Sequence, residues 1–140
     1  MRKVEIVLGL LEQDSTYLLQ HRLGHERIGA AGRIGCFGGK VEEGELPRSA
    51  VSREISEETT LESKPEAWEL LGEVNVESDH QLEPVKVHAT IFRHVLSPKT
   101  KLEAKEGKLV RIQVQDIPSR INEFTPATRA LFEEIIVKER

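Results

Sequence analysis

Gly39-Lys40-Val41-Glu42-Glu43-Gly44-Glu45-Leu46-Pro47-Arg48-Ser49-Ala50-Val51-Ser52-Arg53-Glu54-Ile55-Ser56-Glu57-Glu58-Thr59-Thr60-Leu61 is the stretch on which the reading of this chain turns. Pro47 suits a first helical position, Leu46 is a poor cap, and Val51 and Ile55 give a helix over 47–58 an apolar docking stripe. Glu54, Glu57 and Glu58 then project from one face within a single turn. Like charges at these spacings repel by roughly 0.2–0.5 kcal/mol per pair, and late in a helix they also meet the negative end of its dipole. A solvated surface would explain three glutamates on an arbitrary helix. Here the acidity is local: residues 40–62 hold seven acidic and three basic side chains, a net of −4 that equals the net charge of the whole chain. Hard oxygen donors without a nearby Cys or His favour Mg²⁺ or Mn²⁺ over zinc as the compensating charge.

Outward from this helix, residues 4–11 and 16–22 read as a hairpin around the polar turn 12–15. Six glycines fall between 24 and 39, interrupted by a short strand pattern at 33–37. Residues 67–76 and 85–96 read as strands, with a polar loop at 77–80 between them, and 109–114 as another strand. A closing amphipathic helix spans 125–138, with Thr125 as N-cap, Pro126 at its first position, and Ala130, Leu131 and Ile135 turned inward. Two helices and a mixed β-sheet between them predict an α/β/α sandwich, one domain over residues 1–140.

Composition narrows the function. Hydrophobic content of 38% and charged content of 31% over 140 residues belong to a globular protein. No apolar run nears the ~18–20 residues of a membrane span and no signal-peptide pattern opens the chain, so a cytoplasmic location is expected. Cys36, the single cysteine, forms no internal disulfide and reads as a small buried residue. With a mildly acidic balance and no basic stripe, a nucleic-acid polymer and a membrane are excluded as partners, while a single nucleotide is not. His21, His25, His80, His88 and His94 show no metal-ligand spacing.

Laid out together, Gly39, Glu45, Arg53, Glu54, Ile55, Glu57, Glu58 and Leu61 make the segment 39–61 resemble the Nudix box of the MutT-like pyrophosphohydrolases. One position departs, Thr60 standing where the family usually has the glycine that ends the helix. The resemblance implies a Nudix fold and a metal-dependent hydrolase of phosphoric anhydride bonds in nucleotides. It implies Glu54, Glu57 and Glu58 as ligands of Mg²⁺ or Mn²⁺, assisted by the Gly39 carbonyl, with Arg53 orienting them and Glu45 anchoring the far end. Glu106, just before the last strand, is placed as a further metal ligand or base, with Glu103 as its substitute; which glutamate is the base stays open.

For substrate, Phe37-Gly38-Gly39-Lys40-Val41-Glu42 is similar to the subgroup that sanitises the nucleotide pool of oxidised purine triphosphates such as 8-oxo-dGTP, yielding monophosphate and pyrophosphate. The similarity stops at the base pocket, where Gly35 and Arg111 replace an asparagine and a stacking tryptophan. Arg22, Phe37, Gly38, Gly39, Lys40, Phe124 and Thr128 are the candidate substrate-binding residues; Phe92 is a further aromatic to place. The alternatives are a nucleotide-sugar (ADP-ribose) or dinucleoside polyphosphate hydrolase and a non-catalytic nucleotide sensor, in a monomer or homodimer.

Overall fold

A computed structural model describes residues 1–22, 32–80 and 83–139. Strand β1 (Arg2–Gln13) is the hub of the sheet. Its sequence alternates two apolar sets: Val7 and Leu11 belong to one core, Leu8 and Leu10 to the other. That double burial demands partners on both faces and both edges. Along one edge β1 pairs in parallel with β6 (Glu83–Val95), which pairs antiparallel with β5 (Glu69–His80). Along the other it pairs antiparallel with β4 (Phe37–Lys40) at Ile6–Gly9, then with β2 (Thr16–His21) at Leu11–Gln13. β2 carries the two-residue β3 (Ile34–Gly35) and, on its far side, β7 (Lys108–Gln113). The β1–β2 connection is a two-residue turn at Asp14-Ser15, both at positive φ (51° and 60°), the handedness that matches strand twist.

Helix α1 (Pro47–Glu58) covers one face of the sheet with Ala50, Val51 and Ile55, packing on Val7, Leu11, Leu18, Phe37, Trp68 and Phe92. Gly9 makes this approach possible: a Cβ there would meet Ile55 and Trp68 at 3.0 Å. The other face is covered by α2 (Pro126–Ala130), which runs on as a wider π turn (Leu131–Ile135) and a tight 3₁₀ turn (Ile136–Glu139). Leu131, Phe132 and Ile136 bury against Tyr17, Phe124 and the aliphatic inner face of β1, β5 and β6. The expected α/β/α sandwich with a mixed sheet is the observed one.

Two expectations need correction. The second long strand starts at Glu69, after a 3₁₀ turn at Pro65–Ala67, not at Ala67. Residues 77–80 are strand rather than loop: Glu77 stands opposite Lys86 and Ser78 opposite Val85, so the polar residues are the outer half of a long hairpin. The 33–37 pattern divides at Cys36 into β3 and β4, and 114–123 forms two 3₁₀ segments that the pattern does not announce. His25 and the rest of residues 24–31 lie outside the described residues. Among the described residues no helix is long and apolar enough to cross a membrane.

Candidate active site

The end of α1, the β4 backbone and the loop before β7 meet at one point, and each is fixed there by a separate device. For β4 the device is glycine. A Cβ on Gly38 would lie 2.1 Å from the Val7 carbonyl oxygen, and one on Gly39 2.5 Å from the Glu54 carboxyl carbon. Only bare backbone lets the helix set Glu54 directly on the strand. For the loop the device is Thr60. Helix α1 leaves through Thr59 in extended conformation (φ −138°), not through a left-handed residue, with the Thr59 hydroxyl donating to the Ile55 carbonyl at 2.8 Å. The Thr60 N–H donates to the Glu103 carbonyl (3.0 Å), the Glu103 N–H donates to the Thr60 hydroxyl (2.9 Å), and the Lys105 N–H donates to the Glu58 carbonyl (2.7 Å). A threonine hydroxyl thus closes a strand-like tie that glycine could not make. That tie delivers Glu106 close enough to Glu54 and Glu58 to push both carboxyls upward.

Arg53 holds the acidic face together with all five of its N–H groups. Nε and Nη2 form a fork onto Glu45 at 2.8 and 2.9 Å, and Nη2 also donates to the Lys40 carbonyl at 3.0 Å. Nη1 donates to Glu54 at 3.0 Å and, more loosely, to Glu57 at 3.3 and 3.4 Å. The consequences for charge differ along the row. Glu45, bonded by the fork, is held down at about 2. Glu54 is raised, chiefly by burial. Glu58, only 7% exposed, accepts the Gly38 N–H at 2.8 Å, yet burial and its acidic neighbours raise it to about 8. Glu57 has a half-exposed side chain.

Two raised carboxyls that lack a sufficient positive partner, in an all-oxygen donor set, suit a hard divalent cation. Glu54, Glu57, Glu58, Glu106 and the Gly39 carbonyl are the groups able to supply it. Among the described residues no three His, Cys, Asp or Glu side chains are already gathered at metal-holding geometry; Glu57 is drawn aside toward Arg53.

Beside Glu58 opens a cleft of about 380 Å³. Four of the sequence-predicted substrate residues, Arg22, Gly38, Gly39 and Lys40, line it. Three do not. Phe37 points to the opposite face of β4 and is buried under α1, because strand alternation sends Cys36 and Gly38 to the cleft and Phe37 away from it. Phe124 packs on Phe132 with ring centroids 5.1 Å apart. Thr128 is fully buried and accepts the Cys36 N–H at 3.0 Å. Phe92 is core as well, under the Arg48 guanidinium, and Arg111 sits exposed on β7. Cys36 is a buried thiol pushed up to about 12 by desolvation, consistent with a structural role. The cleft walls that sequence reasoning missed come from β1, β5 and β6; the alternation of Val4, Ile6 and Leu8 was the available signal.

Comparison with known proteins agrees with the fold. No protein of curated function matches the chain. Its fold is similar to that of a MutT protein from Methanosarcina mazei Go1 (22% identity, TM-score 0.77, 99% of this chain and 96% of that one covered). It is also similar to the E. coli dihydroneopterin triphosphate pyrophosphohydrolase (17%, 0.71, 98% and 99%). A third likeness is to a bifunctional NMN adenylyltransferase/ADP-ribose pyrophosphatase from Francisella tularensis, complexed with AMP and a manganese ion (16%, 0.67, 98% and 42%). The family model described as the NUDIX domain matches residues 1–134. The chain therefore belongs to the Nudix family.

Proposed function

We propose that this chain is a Mg²⁺- or Mn²⁺-dependent pyrophosphohydrolase that cleaves nucleoside triphosphates to the monophosphate and pyrophosphate, oxidised purines such as 8-oxo-dGTP being the substrates to test first. The observation that carries the proposal is the junction of the Glu54, Glu58 and Glu106 carboxylates with the Gly38-Gly39-Lys40 edge of a cleft. Glu54, Glu57, Glu58 and Glu106, with the Gly39 carbonyl, would hold the cation. When bound, it offsets the negative charge of the phosphates and of the transition state.

The remaining work falls to the chain. Arg22 and Lys40 bring positive charge to the cleft that attracts the phosphate chain, Lys40 as a compact ammonium and Arg22 as a delocalised guanidinium. Arg53 fixes the carboxylates of Glu45 and Glu54 in place, so the row need not reorganise as charge develops. A carboxylate of the row orients the attacking water and takes its proton. The oxidised-purine reading is supported by the resemblance of residues 37–42, not by the cleft walls.

The test is a panel of canonical and oxidised nucleotides, ADP-ribose and dinucleoside polyphosphates, with products identified. Monophosphate and pyrophosphate from a triphosphate, and at least a tenfold preference for 8-oxo-dGTP over dGTP, or about 1.4 kcal/mol, are expected. Preference for ADP-ribose would move the assignment to nucleotide-sugar hydrolysis. Equal rates on the two guanine nucleotides would remove the oxidised-purine reading alone.

A further inference from the structure

Strand β2 reads Thr16-Tyr17-Leu18-Leu19-Gln20-His21. Alternation puts Gln20 on the same face as Leu18, which belongs to the α1 core, and the register sets it opposite Leu109 of β7, which packs against that core. A leucine at position 20 would extend the apolar row. The chain keeps an amide there instead, at 4% exposure. A buried amide costs stability unless its polar atoms are bonded. Gln20 Nε2 donates to the Glu106 carbonyl at 3.0 Å, joining β2 to a loop 86 residues further along the chain.

That bond falls between two other sets of ties. On the helix side they reach Lys105, whose N–H donates to the Glu58 carbonyl and whose Nζ donates to the Ser56 carbonyl at 3.2 Å. On the strand side they begin at Lys108, opposite His21. Glu106 and Gly107 span the interval. Gly107 turns the chain at φ +65°, and a Cβ on it would lie 2.7 Å from the His21 carbonyl oxygen and 3.0 Å from Gln20 Cγ. The 106–107 peptide therefore lies against Gln20, with its carbonyl taken by the Gln20 amide. Holding that peptide fixes the backbone of Glu106 and with it the direction in which the side chain leaves. The Glu106 carboxylate is, after burial, one of the charges that raise Glu54 and Glu58.

We infer that Gln20 is a positioning residue for the metal site: its amide holds the Glu106 peptide so that the Glu106 carboxylate faces Glu54 and Glu58 and completes the oxygen set for the cation. The inference rests on the role given to Glu106 under the proposed function. Gln20 acts through the backbone of Glu106, not as a ligand, and is not among the residues that line the cleft.

The experiment titrates the full chain with Mn²⁺ alone, reading free Mn²⁺ by electron paramagnetic resonance. It compares wild type, Gln20→Met, Gln20→Leu, Glu106→Gln and the double variant Gln20→Met with Glu106→Gln. Methionine and leucine suit the α1 core but donate no hydrogen bond. Each Gln20 variant should weaken Mn²⁺ binding by about tenfold, as support lost from behind a ligand does, and Glu106→Gln should weaken it by about the same factor. The double variant should bind within about twofold of Glu106→Gln alone, because both changes remove the same ligand. Wild-type Mn²⁺ affinity in both Gln20 variants, with Glu106→Gln weakened, would overturn the inference and leave the proposed function standing. A second loss of about tenfold in the double variant would also overturn it, since Gln20 would then act by a route other than Glu106. Loss of a folded circular dichroism spectrum in both Gln20 variants would make the residue structural and do the same. Wild-type affinity in Glu106→Gln would remove Glu106 from the ligand set, and with it both that part of the proposed function and the inference.

Discussion

Replacing Glu58 with glutamine should stabilise the metal-free protein, although it alters the most deeply buried carboxyl of the site. Glu58 is raised to about 8 by burial and by its acidic neighbours Glu54 and Glu106, from an ordinary value of 4.5. The sign follows from linkage: below pH 4.5 the carboxyl is protonated in both states and nothing is lost. As pH rises toward 8 the unfolded chain ionises while the fold must keep the proton, so stability falls across that window and levels off above it. At pH 7 the loss is on the order of 3 kcal/mol, at about 1.36 kcal/mol per pH unit. In Glu58→Gln the amide oxygen can still accept the Gly38 N–H that Glu58 accepts at 2.8 Å. The new NH₂ group and the lost attraction to Arg22 give back about 1 kcal/mol. A net gain of about 1–3 kcal/mol corresponds to a Tm rise of roughly 3–10 °C for a chain of this size. Thermal denaturation in EDTA between pH 4.5 and 8.5 reads it directly: the two proteins should converge at the acid end and separate as pH rises. With Mg²⁺ the order should reverse, since only the wild type keeps its full ligand set. A Tm for Glu58→Gln several degrees below wild type at pH 8 in EDTA, or a difference that ignores pH, would refute the reasoning.

Arg53→Lys keeps the charge but loses the fork onto Glu45 and the simultaneous bond to Glu54, so kcat should fall at least a hundredfold with a folded circular dichroism spectrum; wild-type turnover would remove the orienting role. Thr60→Gly restores the residue usual in the family, yet it should destabilise by about 1–2 kcal/mol in urea melts, because the Glu103 N–H loses the hydroxyl it bonds at 2.9 Å. An unchanged or raised midpoint would show that the tie is not needed. Trp68→Ala should cost about 3–5 kcal/mol, since the 2% exposed indole fills the α1 core and donates Nε1–H to Ser63 at 2.9 Å; a cost under 1 kcal/mol would mean the core closes around the gap.

The two-sided core and the box helix were legible because both are local patterns: a near-continuous apolar run in β1 and carboxylates at helical spacing beside an arginine. What was missed depends on pairing between distant segments. The parallel match of β1 with β6 assembles the aliphatic cleft wall from residues more than seventy positions apart in sequence, and the alternation of Val4, Ile6 and Leu8 announces only the β1 part of it. In sequence the outer half of β5 reads as a loop because its residues are polar, whereas cross-strand pairing such as Lys86 opposite Glu77 holds it extended. The resemblance at residues 37–42 implies Phe37 as a substrate contact. Strand parity decides otherwise, turning Cys36 and Gly38 to the cleft and Phe37 to the core. Thr60 was legible as a departure from the family, but its partner Glu103 belongs to a loop that only the fold brings near.

The most direct test of the central claim is product analysis by ion-exchange chromatography of nucleoside triphosphate reactions, run with Mg²⁺ and with excess EDTA, for wild type, Glu54→Gln and Glu57→Gln. The carboxylate row predicts monophosphate and pyrophosphate from the wild type with Mg²⁺ only, and turnover at least a hundredfold lower in both variants. Undiminished turnover in EDTA, or wild-type rates in both variants, would contradict it.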